Sequence, residues 1–427
     1  MEKFDIVGIG VGPANLALIA ALLDARDVGQ QIPRAVFLER DARFGWHPGA
    51  LLPGSRVQVP FTKDLATQRN PRSRYTFLNY LHEQGRIEDF INLREMFPER
   101  EEFSQYMAWI ASEAGDLVRF ASEVSELFPV IDAAGRVARI GVACSTGLTS
   151  KNFSARCIVL GTGCRPHVPT GVRADQDRIV HTAHLLECAD SELWRAMLSP
   201  RFLVVGAGES GIEAACYLLR EFPSAEVEIC LRRLTPQSID DNPFVNQWYG
   251  SRSAEAFDSM DETTRTAVLA DLAGSSLGVA EHVALEELYR HHYRGLRNGH
   301  SRVLLRSGHS LLRAEASYDG VDCLLTNVVT GETLNQRYSA LVLATGYEDT
   351  DPTLLRPLNE WLQFDDDGAC CAGPDYRLRT RGLIDAMVFL HGVREKRHGP
   401  AERSLSTRAV RAGVLFKVLR TVLGYSK

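Results

Sequence analysis

Apolar runs that end in glycine turns recur along this chain, and they predict buried strands that lead directly into helices. The first run, Ile6-Val7, suits a strand that is buried on both faces. Three glycines follow it, Gly8, Gly10 and Gly12, and apolar residues at helical spacing then continue to Arg26. A second apolar strand, residues 35–38, ends at Glu39. The N-terminal stretch therefore predicts a β-α-β unit.

The same architecture returns in the middle of the chain. Residues 202–222, FLVVGAGESGIEAACYLLREF, predict a strand, a helix and a turn between them that carries three glycines, Gly206, Gly208 and Gly211. The next predicted strand, residues 227–231, ends at Arg232 and Arg233. Two further apolar runs, 157–160 and 340–343, each precede a glycine turn. They predict the strands by which the chain leaves the first unit and later returns to it.

This order of elements predicts an α/β fold with two Rossmann-like dinucleotide-binding domains and a small helical portion that binds substrate. The first domain is expected to be discontinuous, to comprise residues 1–195 and 336–427, and to carry elements of the substrate site. Residues 196–335 are expected to form the second domain, with a helical insertion at about 255–300. The basic, amphipathic residues 403–420 predict a helix that packs beside the first domain.

The first glycine turn has the order that a dinucleotide fingerprint requires, with a strand before the glycines and a helix after them. Gly8 permits a tight turn, Gly10 allows a pyrophosphate to approach, and the helix N-terminus offers free N–H groups. Glu39 can accept hydrogen bonds from a ribose hydroxyl. Pro13 stands where the third glycine of the strict motif would fall, which indicates a family-specific variant. The alternative is a tight turn that binds no ligand.

The second glycine turn is a complete GxGxxG motif, but the residue after the next strand differs from the usual acid. Arg232 stands at that position. A guanidinium pairs with a ribose 2′-phosphate, whereas a carboxylate would repel it, so the second nucleotide is predicted to be NADPH. The alternative is a pair of solvated arginines at a strand end.

Composition and charge narrow the setting of the protein. A formal charge of −6 over 427 residues does not indicate a nucleic acid or an anionic membrane as partner. Nine scattered cysteines without a CxxC pair indicate a reducing compartment. The N-terminus lacks a basic region, and glycines interrupt its apolar stretch, so neither a signal peptide nor a membrane span is predicted. We therefore expect a cytoplasmic protein.

A metal site is not predicted. Glu287 lies one helical turn before His291, but two such groups are too few for a closed site and no cysteine joins them. A solvated helix face explains this pattern better.

The two nucleotide sites, the first with Glu39 and the second with arginines, imply FAD and NADPH and hence hydride transfer to a flavin. A disulfide reductase of this layout would carry a CxxC or CxxxxC pair against the flavin, and the predicted flavin-facing loops contain none. Oxygen is then the natural electron acceptor, which predicts a monooxygenase or an oxidase.

The chain resembles a known family, the microbial lysine/ornithine N-hydroxylating flavin monooxygenases of siderophore biosynthesis. The resemblance covers nearly the whole chain and is carried by VGIGVGPANLAL, FGWHPGALLPGSRVQVPFTKDLATQRNPRSRYTFLNYL, FPEREEFSQYMAW, VVGAGESGIEAA, DDNPFVNQ and LATGY. The segment from Trp46 to Leu81 is the most diagnostic, because flavoproteins in general do not need that order of residues.

The resemblance implies that NADPH reduces FAD, that oxygen adds to form a C4a-hydroperoxyflavin, and that a primary amine becomes a hydroxylamine. The expected substrate is L-ornithine or L-lysine, for siderophore or related natural-product biosynthesis. The amine must be neutral to react, although a free side-chain amine has a pKa of about 10.4, so a dry pocket that lowers this pKa is required. Relatives are often oligomers, which implies a homo-oligomer, a tetramer or a dimer.

The resemblance also assigns roles to individual residues. Lys63 matches a lysine that contacts the substrate carboxylate, and Asn246 matches an asparagine that contacts substrate. Gln58 matches a glutamine beside the flavin, and these three are the predicted catalytic residues. Ser276 and Ser406 complete the predicted substrate site. The predicted cofactor-binding residues are Gly8, Gly10, Gly12, Pro13, Asn15, Glu39, Trp46, His47, Gln58, Gly206, Gly208, Glu209, Ser210, Gly211, Arg232, Thr345 and Gly346.

Two segments depart from the family pattern. Ser276, Leu277 and Gly278 stand where the family has an Asn-Tyr-Ser sequence, and two hydrogen-bonding side chains are lost. HGPAERSLS replaces HGLSDTLLS near the C-terminus, with Pro400 and Arg403 as the unusual residues. The chain could therefore hydroxylate a diamine, a shorter amino acid or a carrier-bound substrate, or it could be a nucleotide-binding homologue without turnover. A general flavin monooxygenase is disfavoured because residues 165–184 lack the FxGxxxHxxxW/Y signature of that group.

Overall fold

The structure, a computed structural model, describes residues 1–425 apart from 148, 176, 251, 277, 350–352, 365–367, 369, 393–398, 400 and 402–403. Leu277, Pro400 and Arg403 therefore lie outside the described residues. No helix among the described residues is both long enough and apolar enough to cross a membrane. The nine cysteines all lie in the described ranges, and no disulfide joins any two of them.

The described strands form four sheets. They are β1 (Glu2–Ile9), β2 (Ala35–Leu38), β3 (Val118–Arg119), β4 (Glu123–Ile131), β5 (Val137–Thr146), β6 (Thr149–Leu160), β7 (Cys164–Pro166), β8 (Ile179–His181), β9 (Arg201–Val205), β10 (Glu226–Leu231), β11 (Val303–Ser307), β12 (His309–Ser317), β13 (Gly320–Asn327), β14 (Thr333–Tyr338), β15 (Ala340–Leu343), β16 (Tyr347–Asp349) and β17 (Met387–Leu390).

The helices follow the predicted glycine turns and fill the inserted segments. They are α1 (Pro13–Asp27), α2 (Phe77–Glu83), α3 (Ile87–Leu93), α4 (Arg100–Glu113), α5 (Leu185–Ala189), α6 (Glu192–Arg195), α7 (Glu209–Glu221), α8 (Pro243–Trp248), α9 (Arg252–Ser259), α10 (Glu262–Ser276), α11 (His282–Arg297) and α12 (Arg408–Leu423). Short 3-10 turns cover Pro48–Ala50, Phe61–Lys63, Gly115–Leu117, Thr182–His184, Thr353–Trp361 and Leu405–Thr407.

The first sheet holds the N-terminal nucleotide turn. Its order is β3-β2-β1-β6-β5-β4, and β17 pairs with β6 as well. β1 lies parallel to both β2 and β6, with Ile6 opposite Ala35 and Cys157, and β17 lies parallel to the C-terminal half of β6. The buried apolar residues of these central strands explain why the pattern predicted them.

The second sheet is entirely parallel, in the order β11-β10-β9-β15-β8, and a three-stranded antiparallel sheet, β12-β13-β14, follows β11 in the chain. Together the two parallel arrangements confirm the predicted α/β class with two Rossmann-like units. The expected domain limits place β8 and β15 in the first domain, whereas the structure pairs both of them in the second sheet. Three or four apolar residues bounded by loops do not reveal which sheet they join, because tertiary pairing decides it.

The C-terminal helix packs on the first helix, as the sequence predicted. α12 lies against α1, and Leu415 and Leu419 share one buried core with residues of α1. α12 begins at Arg408, later than the expected start at residue 403. The same core contains aromatic side chains of α2, α3 and α4, so the helical portion is anchored on the first domain.

Candidate active site

A cavity of about 1700 Å³ lies at the carboxyl ends of the parallel strands of both sheets. Residues of both glycine turns line it. The predicted residues that reach its wall are Gly10, Gly12, Pro13, Glu39, Trp46, His47, Gln58, Gly206, Gly208, Glu209, Ser210, Arg232, Thr345 and Gly346. The carboxyl ends of parallel strands are where such folds bind ligands.

The three glycines of the first turn have different roles from those that the sequence suggested. Gly10 has a φ of 83°, and a Cβ on it would lie 2.5 Å from the carbonyl oxygen of Gly161, so Gly10 makes the tight turn. Gly8 instead lies against the ring of Phe37, whose Cδ1 would be 2.0 Å from an added Cβ. No atom lies within 4 Å of a Cβ placed on Gly12, which leaves the approach to α1 open.

Asn15 supports this turn from behind and does not line the cavity. Its Nδ2 donates to the carbonyl oxygens of Ile9, at 3.2 Å, and of Gly10, at 2.7 Å. Its Oδ1 lies 3.2 Å from Nδ1 of His391, and Asn15 is fully buried. Because both amide donors serve the turn, the oxygen must accept from His391. Asn15 therefore fixes the backbone that a phosphate would approach.

Glu39 lies at the end of β2 and faces the cavity. Its Oε2 accepts from the backbone N–H of Val11 at 2.8 Å, and its Oε1 accepts from that of Asp41 at 3.2 Å. These bonds hold the carboxylate next to the glycine turn. It retains acceptor capacity for ribose hydroxyls.

The second glycine turn has the same construction. Gly206 has a φ of 115°, and a Cβ on it would lie 2.3 Å from the carbonyl oxygen of Ala344. Gly211 packs directly on Gly206, where a Cβ would meet the carbonyl oxygen at 2.1 Å. α7 then begins at Glu209, and Glu209 and Ser210 line the cavity at its first turn. Arg232 and Arg233 follow β10, are exposed and line the same side.

A buried acid pair lies beside this second turn. Glu209 Oε2 accepts from the backbone N–H of Glu281 at 2.6 Å, and Glu213 forms an ion pair with Arg100 of α4 at 2.9 Å. Burial, and then the neighbouring Glu213, raise the pKa of Glu209 to about 7. Because Arg100 favours the charged form of Glu213, a proton held by the pair belongs on Glu209.

The middle of the cavity is lined by aromatic rings and backbone. Tyr347 Oη lies 3.4 Å from His47 Nδ1, and the two ring centroids are 5.2 Å apart. Nε2 of His181 lies 2.9 Å from the carbonyl oxygen of Gly346, and burial lowers the pKa of His181 to about 4. Thr345 donates its hydroxyl to the carbonyl of His167. The wall beside Trp46 and His47 is thus aromatic and uncharged, which suits an aromatic ring system.

Among the predicted substrate residues, Lys63, Asn246 and Ser406 do not line the cavity. Lys63 ends the Phe61–Lys63 turn, which packs against the Leu405–Thr407 turn that contains Ser406. Ser406 is buried and donates to the carbonyl oxygen of Tyr249 at 2.9 Å, next to α8. Asn246 of α8 is exposed and donates to the carbonyl oxygen of Asp241 at 2.7 Å. The side chain of Ser276 lies outside what the structure describes.

Several residues that organise the site were not predicted. Asp64, next to Lys63, is 2% exposed and accepts from the backbone N–H groups of Ala66, Thr67 and Phe77 at 2.9, 2.6 and 2.8 Å. Burial raises the pKa of Asp64 despite these bonds. Asp64 follows Lys63 in the Lys-Asp-Leu motif, and this position was the sequence signal that could have identified it as a site residue. Arg100, Glu213, His391 and Arg408 were missed as well, because their partners lie far away in sequence.

These residues fit two dinucleotides. Each glycine turn leads into a helix of more than twelve residues, and each precedes a strand whose end carries the residue expected for its ribose, Glu39 or Arg232. Among the described residues, no group of three or more His, Cys, Asp or Glu could hold a metal ion. The fold and site therefore define the class of two-nucleotide α/β oxidoreductases.

Comparison with known proteins identifies the family within that class. Residues 2–349 match the model of the L-lysine 6-monooxygenase/L-ornithine 5-monooxygenase family, and the chain belongs to this family of flavin-dependent N-hydroxylating enzymes. An L-ornithine N(5)-monooxygenase of Ajellomyces capsulatus is 35% identical, over 100% of this chain and 92% of that protein.

Two solved structures agree with the family assignment. The ornithine hydroxylase of Pseudomonas aeruginosa is 31% identical, with a TM-score of 0.91 over 99% of this chain and 100% of that one. The ornithine N-hydroxylase of Kutzneria sp. 744, solved with reduced FAD, NADP⁺ and L-ornithine, is 30% identical, with a TM-score of 0.92 over 98% of this chain and 99% of that one. The resemblance inferred from the motifs is thereby confirmed.

Proposed function

We propose that this chain is an FAD- and NADPH-dependent monooxygenase that converts the side-chain amine of L-ornithine, or of L-lysine, to a hydroxylamine. The observation that carries the proposal is that two nucleotide turns face one cavity, with Glu39 at the first and Arg232 at the second. The relatives named above, which act on ornithine, support the choice of substrate.

The first turn is assigned to FAD and the second to NADPH. FAD supplies the redox chemistry and the activated oxygen once NADPH has reduced it. Trp46, His47, Gln58 and Tyr347 line the cavity between the two glycine turns, so they would border the space where the two nucleotides meet. Arg232 and Arg233 lie at the end of β10, where the 2′-phosphate of NADPH would reach a guanidinium.

The substrate is assigned to the space between Lys63, Asn246 and Ser406. The Lys63 ammonium forms no hydrogen bond or ion pair within the described ranges, so it is available to a carboxylate. Ser406 joins the turn beside Lys63 to the end of α8, which carries Asn246. An amino acid held by its carboxylate at Lys63 would direct its side-chain amine away from that charge, towards the cavity. Exclusion of water there favours the neutral amine, which is the nucleophile.

Two points of the proposal come from the family alone. A role in siderophore or related biosynthesis is expected from the resemblance to the family. The cytoplasmic location is a separate proposal, supported by the scattered cysteines of the sequence. A homo-oligomer, tetramer or dimer, is likewise expected from resemblance.

A substrate panel tests the proposal. The purified protein is supplied with FAD and NADPH, and hydroxylamine formation and NADPH oxidation are followed with ornithine, lysine, putrescine, cadaverine and aspartate. We expect hydroxylamine with ornithine or lysine. Product only from a diamine or aspartate would assign a different amine to the altered segment around Gly278. NADPH oxidation that yields only hydrogen peroxide with every amine would contradict the proposed substrate class.

The assignment of NADPH is tested by a matched pair of variants. Arg232→Ala should raise the KM for NADPH roughly 10- to 100-fold and leave that for NADH unchanged, because only NADPH carries the 2′-phosphate. Arg233→Ala removes the same charge one residue further along. An equal effect of the two variants would show that the positive charge of the segment matters and not a specific contact of Arg232.

A further inference from the structure

The residue that follows Lys63 is a buried carboxylate with four hydrogen-bond donors around it. Asp64 is 2% exposed, and its Oδ1 accepts from the backbone N–H groups of Ala66 at 2.9 Å and Thr67 at 2.6 Å. Its Oδ2 accepts from the hydroxyl of Thr67 at 2.8 Å and from the backbone N–H of Phe77 at 2.8 Å. An ionised carboxylate has about four acceptor positions, so Asp64 uses its full capacity within the protein.

These bonds join the segment that carries Lys63 to the start of α2. Phe77 is the first residue of that helix, thirteen positions beyond Asp64. A second buried link lies beside the first, because the hydroxyl of Tyr106 accepts from the backbone N–H of Leu65 at 3.2 Å and donates to the carbonyl oxygen of Tyr75 at 2.8 Å. The backbone directly after Lys63 is thus fixed at two neighbouring points.

The backbone before Lys63 is fixed as well. Phe61 donates its N–H to the carbonyl oxygen of Met96 at 2.8 Å. Its ring packs against those of Phe77 and Phe90, with centroids 6.0 and 5.5 Å apart. The side chain of Lys63 takes no part in these contacts. Its main chain is therefore held in place on both sides before any ligand binds, which lowers the ordering cost of a contact made by its ammonium group.

We propose that Asp64 is a positioning residue of the substrate site, because it sets the place from which Lys63 reaches the substrate carboxylate. The inference rests on the proposed role of Lys63. Neither residue is among those that line the described nucleotide cavity. Asp64 should accordingly affect the binding of the amino acid and leave the reduction of the flavin by NADPH unaffected.

Asp64→Asn tests this role at nearly constant shape. The amide has one acceptor oxygen, so its NH2 group would face donors of Ala66, Thr67 or Phe77 and release the turn. We expect the KM for ornithine to rise about tenfold, because a small displacement of a binding group is enough for such a loss. The kcat at saturating ornithine and the rate of flavin reduction should stay nearly unchanged.

A double-mutant cycle with Lys63→Ala separates positioning from a general effect on the fold. If Asp64 acts through Lys63, Asp64→Asn should not raise the KM further once Lys63 has been replaced. An equal increase of the KM in both backgrounds would overturn the proposal. Thr67→Val, which removes one side-chain bond and keeps the three backbone bonds, is the milder variant and should raise the KM roughly two- to fivefold.

Asp24→Asn is the matched control, because it loosens a later part of the same segment. Asp24 of α1 is similarly buried and accepts from Nη2 of Arg69 at 2.6 Å and from the hydroxyl of Ser73 at 2.9 Å. This variant should lower the melting temperature and leave the KM for ornithine unchanged. A KM raised equally by Asp24→Asn and Asp64→Asn would show that general loosening of the segment is the cause, and would overturn the proposal.

Hydrogen exchange provides a readout that needs no substrate. In Asp64→Asn the amides of Ala66, Thr67 and Phe77 should exchange faster, and in Asp24→Asn they should not. Unchanged exchange at these amides in Asp64→Asn, or an unchanged KM in an active variant, would contradict the positioning role. If the unaltered protein hydroxylates none of the amines tested, the proposed function fails by itself, and the exchange rates still show whether Asp64 holds the turn beside Lys63.

Discussion

Lys63 is the side chain on which the proposed substrate site depends most. Lys63→Ala removes the cation that we assign to the substrate carboxylate, and we expect the KM for ornithine to rise roughly 10- to 100-fold. The rate of flavin reduction by NADPH should stay the same, because Lys63 does not line the nucleotide cavity. Stopped-flow reduction and steady-state kinetics separate the two. An equal loss in both would assign Lys63 a structural role, as its packing near Ser406 would allow.

Glu209 is expected to couple nucleotide binding to pH. Its pKa of about 7 is above the ordinary carboxyl value, so the folded protein favours the protonated acid. The folded state therefore loses stability as pH rises from the ordinary value towards 7, with no further change above that. A diphosphate at the first turn of α7 adds negative charge, which favours the protonated acid still more. Nucleotide binding should then take up a proton, and affinity should fall as pH rises above 7.

The test compares NADP⁺ binding of the unchanged protein and of Glu209→Gln between about pH 6.5 and 9. The affinity of the unchanged protein should decrease by up to about tenfold for each pH unit above 7, whereas that of Glu209→Gln should stay nearly constant. The charges that face Glu209 are Glu213 from its own helix, Arg100 from α4 and Glu281 before α11. The same pH dependence in both proteins would show that another group titrates.

At the scale of elements, two glycines of the first β-α turn have different roles, since Gly10 is required for folding and Gly12 for binding. Gly10→Ala places a methyl group against the carbonyl of Gly161 at a positive φ, which should destabilise the fold by roughly 1–3 kcal/mol. Gly12→Ala meets no atom within 4 Å, so the melting temperature should hardly change. Its methyl group would stand where the diphosphate approaches, and the Kd for FAD should rise. A lower melting temperature for Gly12→Ala than for Gly10→Ala would contradict these roles.

Element types were predictable here because their signals are local. Both glycine turns, the strands before them and the helices after them follow from periodicity over a few residues. The exact first and last residues of the helices and strands were less predictable. α2, for example, begins at Phe77, where Thr76 caps it and the distant Asp64 accepts the Phe77 N–H, and the contact with Asp64 is not local. The roles of Gly8 and Gly10 were also not local, since Phe37 and Gly161 determine them.

At the scale of the whole molecule, one ion pair joins the two nucleotide domains. Arg100 lies on α4, whose apolar residues belong to the first core, and Glu213 lies on α7, whose apolar residues belong to the second. Both side chains are largely buried. Arg100→Met leaves the Glu213 carboxylate without its cation, which should cost about 3–5 kcal/mol of stability and slow flavin reduction as the domains lose their fixed orientation.

A double-mutant cycle with Glu213→Leu measures this link. The combined variant should lose less stability than the sum of the two single variants, because each single change leaves one buried charge alone. Strictly additive losses in the free energy of unfolding would show that Arg100 and Glu213 do not interact across the domain boundary.

The composition of the site was predictable to the extent that motifs carry it. Glu39, Arg232 and the LATGY segment follow predicted strands and do line the cavity. The hydrogen bond between Asn15 and His391 could not be predicted, because it joins residues that are 376 positions apart. The same holds for Arg408, which lines the cavity from the first turn of the last helix, where that helix packs on the first.

β17 and α12 are the last elements of the first domain to be synthesised, and this order has a consequence for how the protein folds during translation. The first sheet receives its last strand at Met387–Leu390, and the helix that covers α1 is completed only at Leu423. During translation, the inserted second unit emerges from the ribosome before the first can close, so it is free to fold earlier. Flavin loading should accordingly require residues 387–390, and nascent chains stalled before residue 387 should not retain the coenzyme.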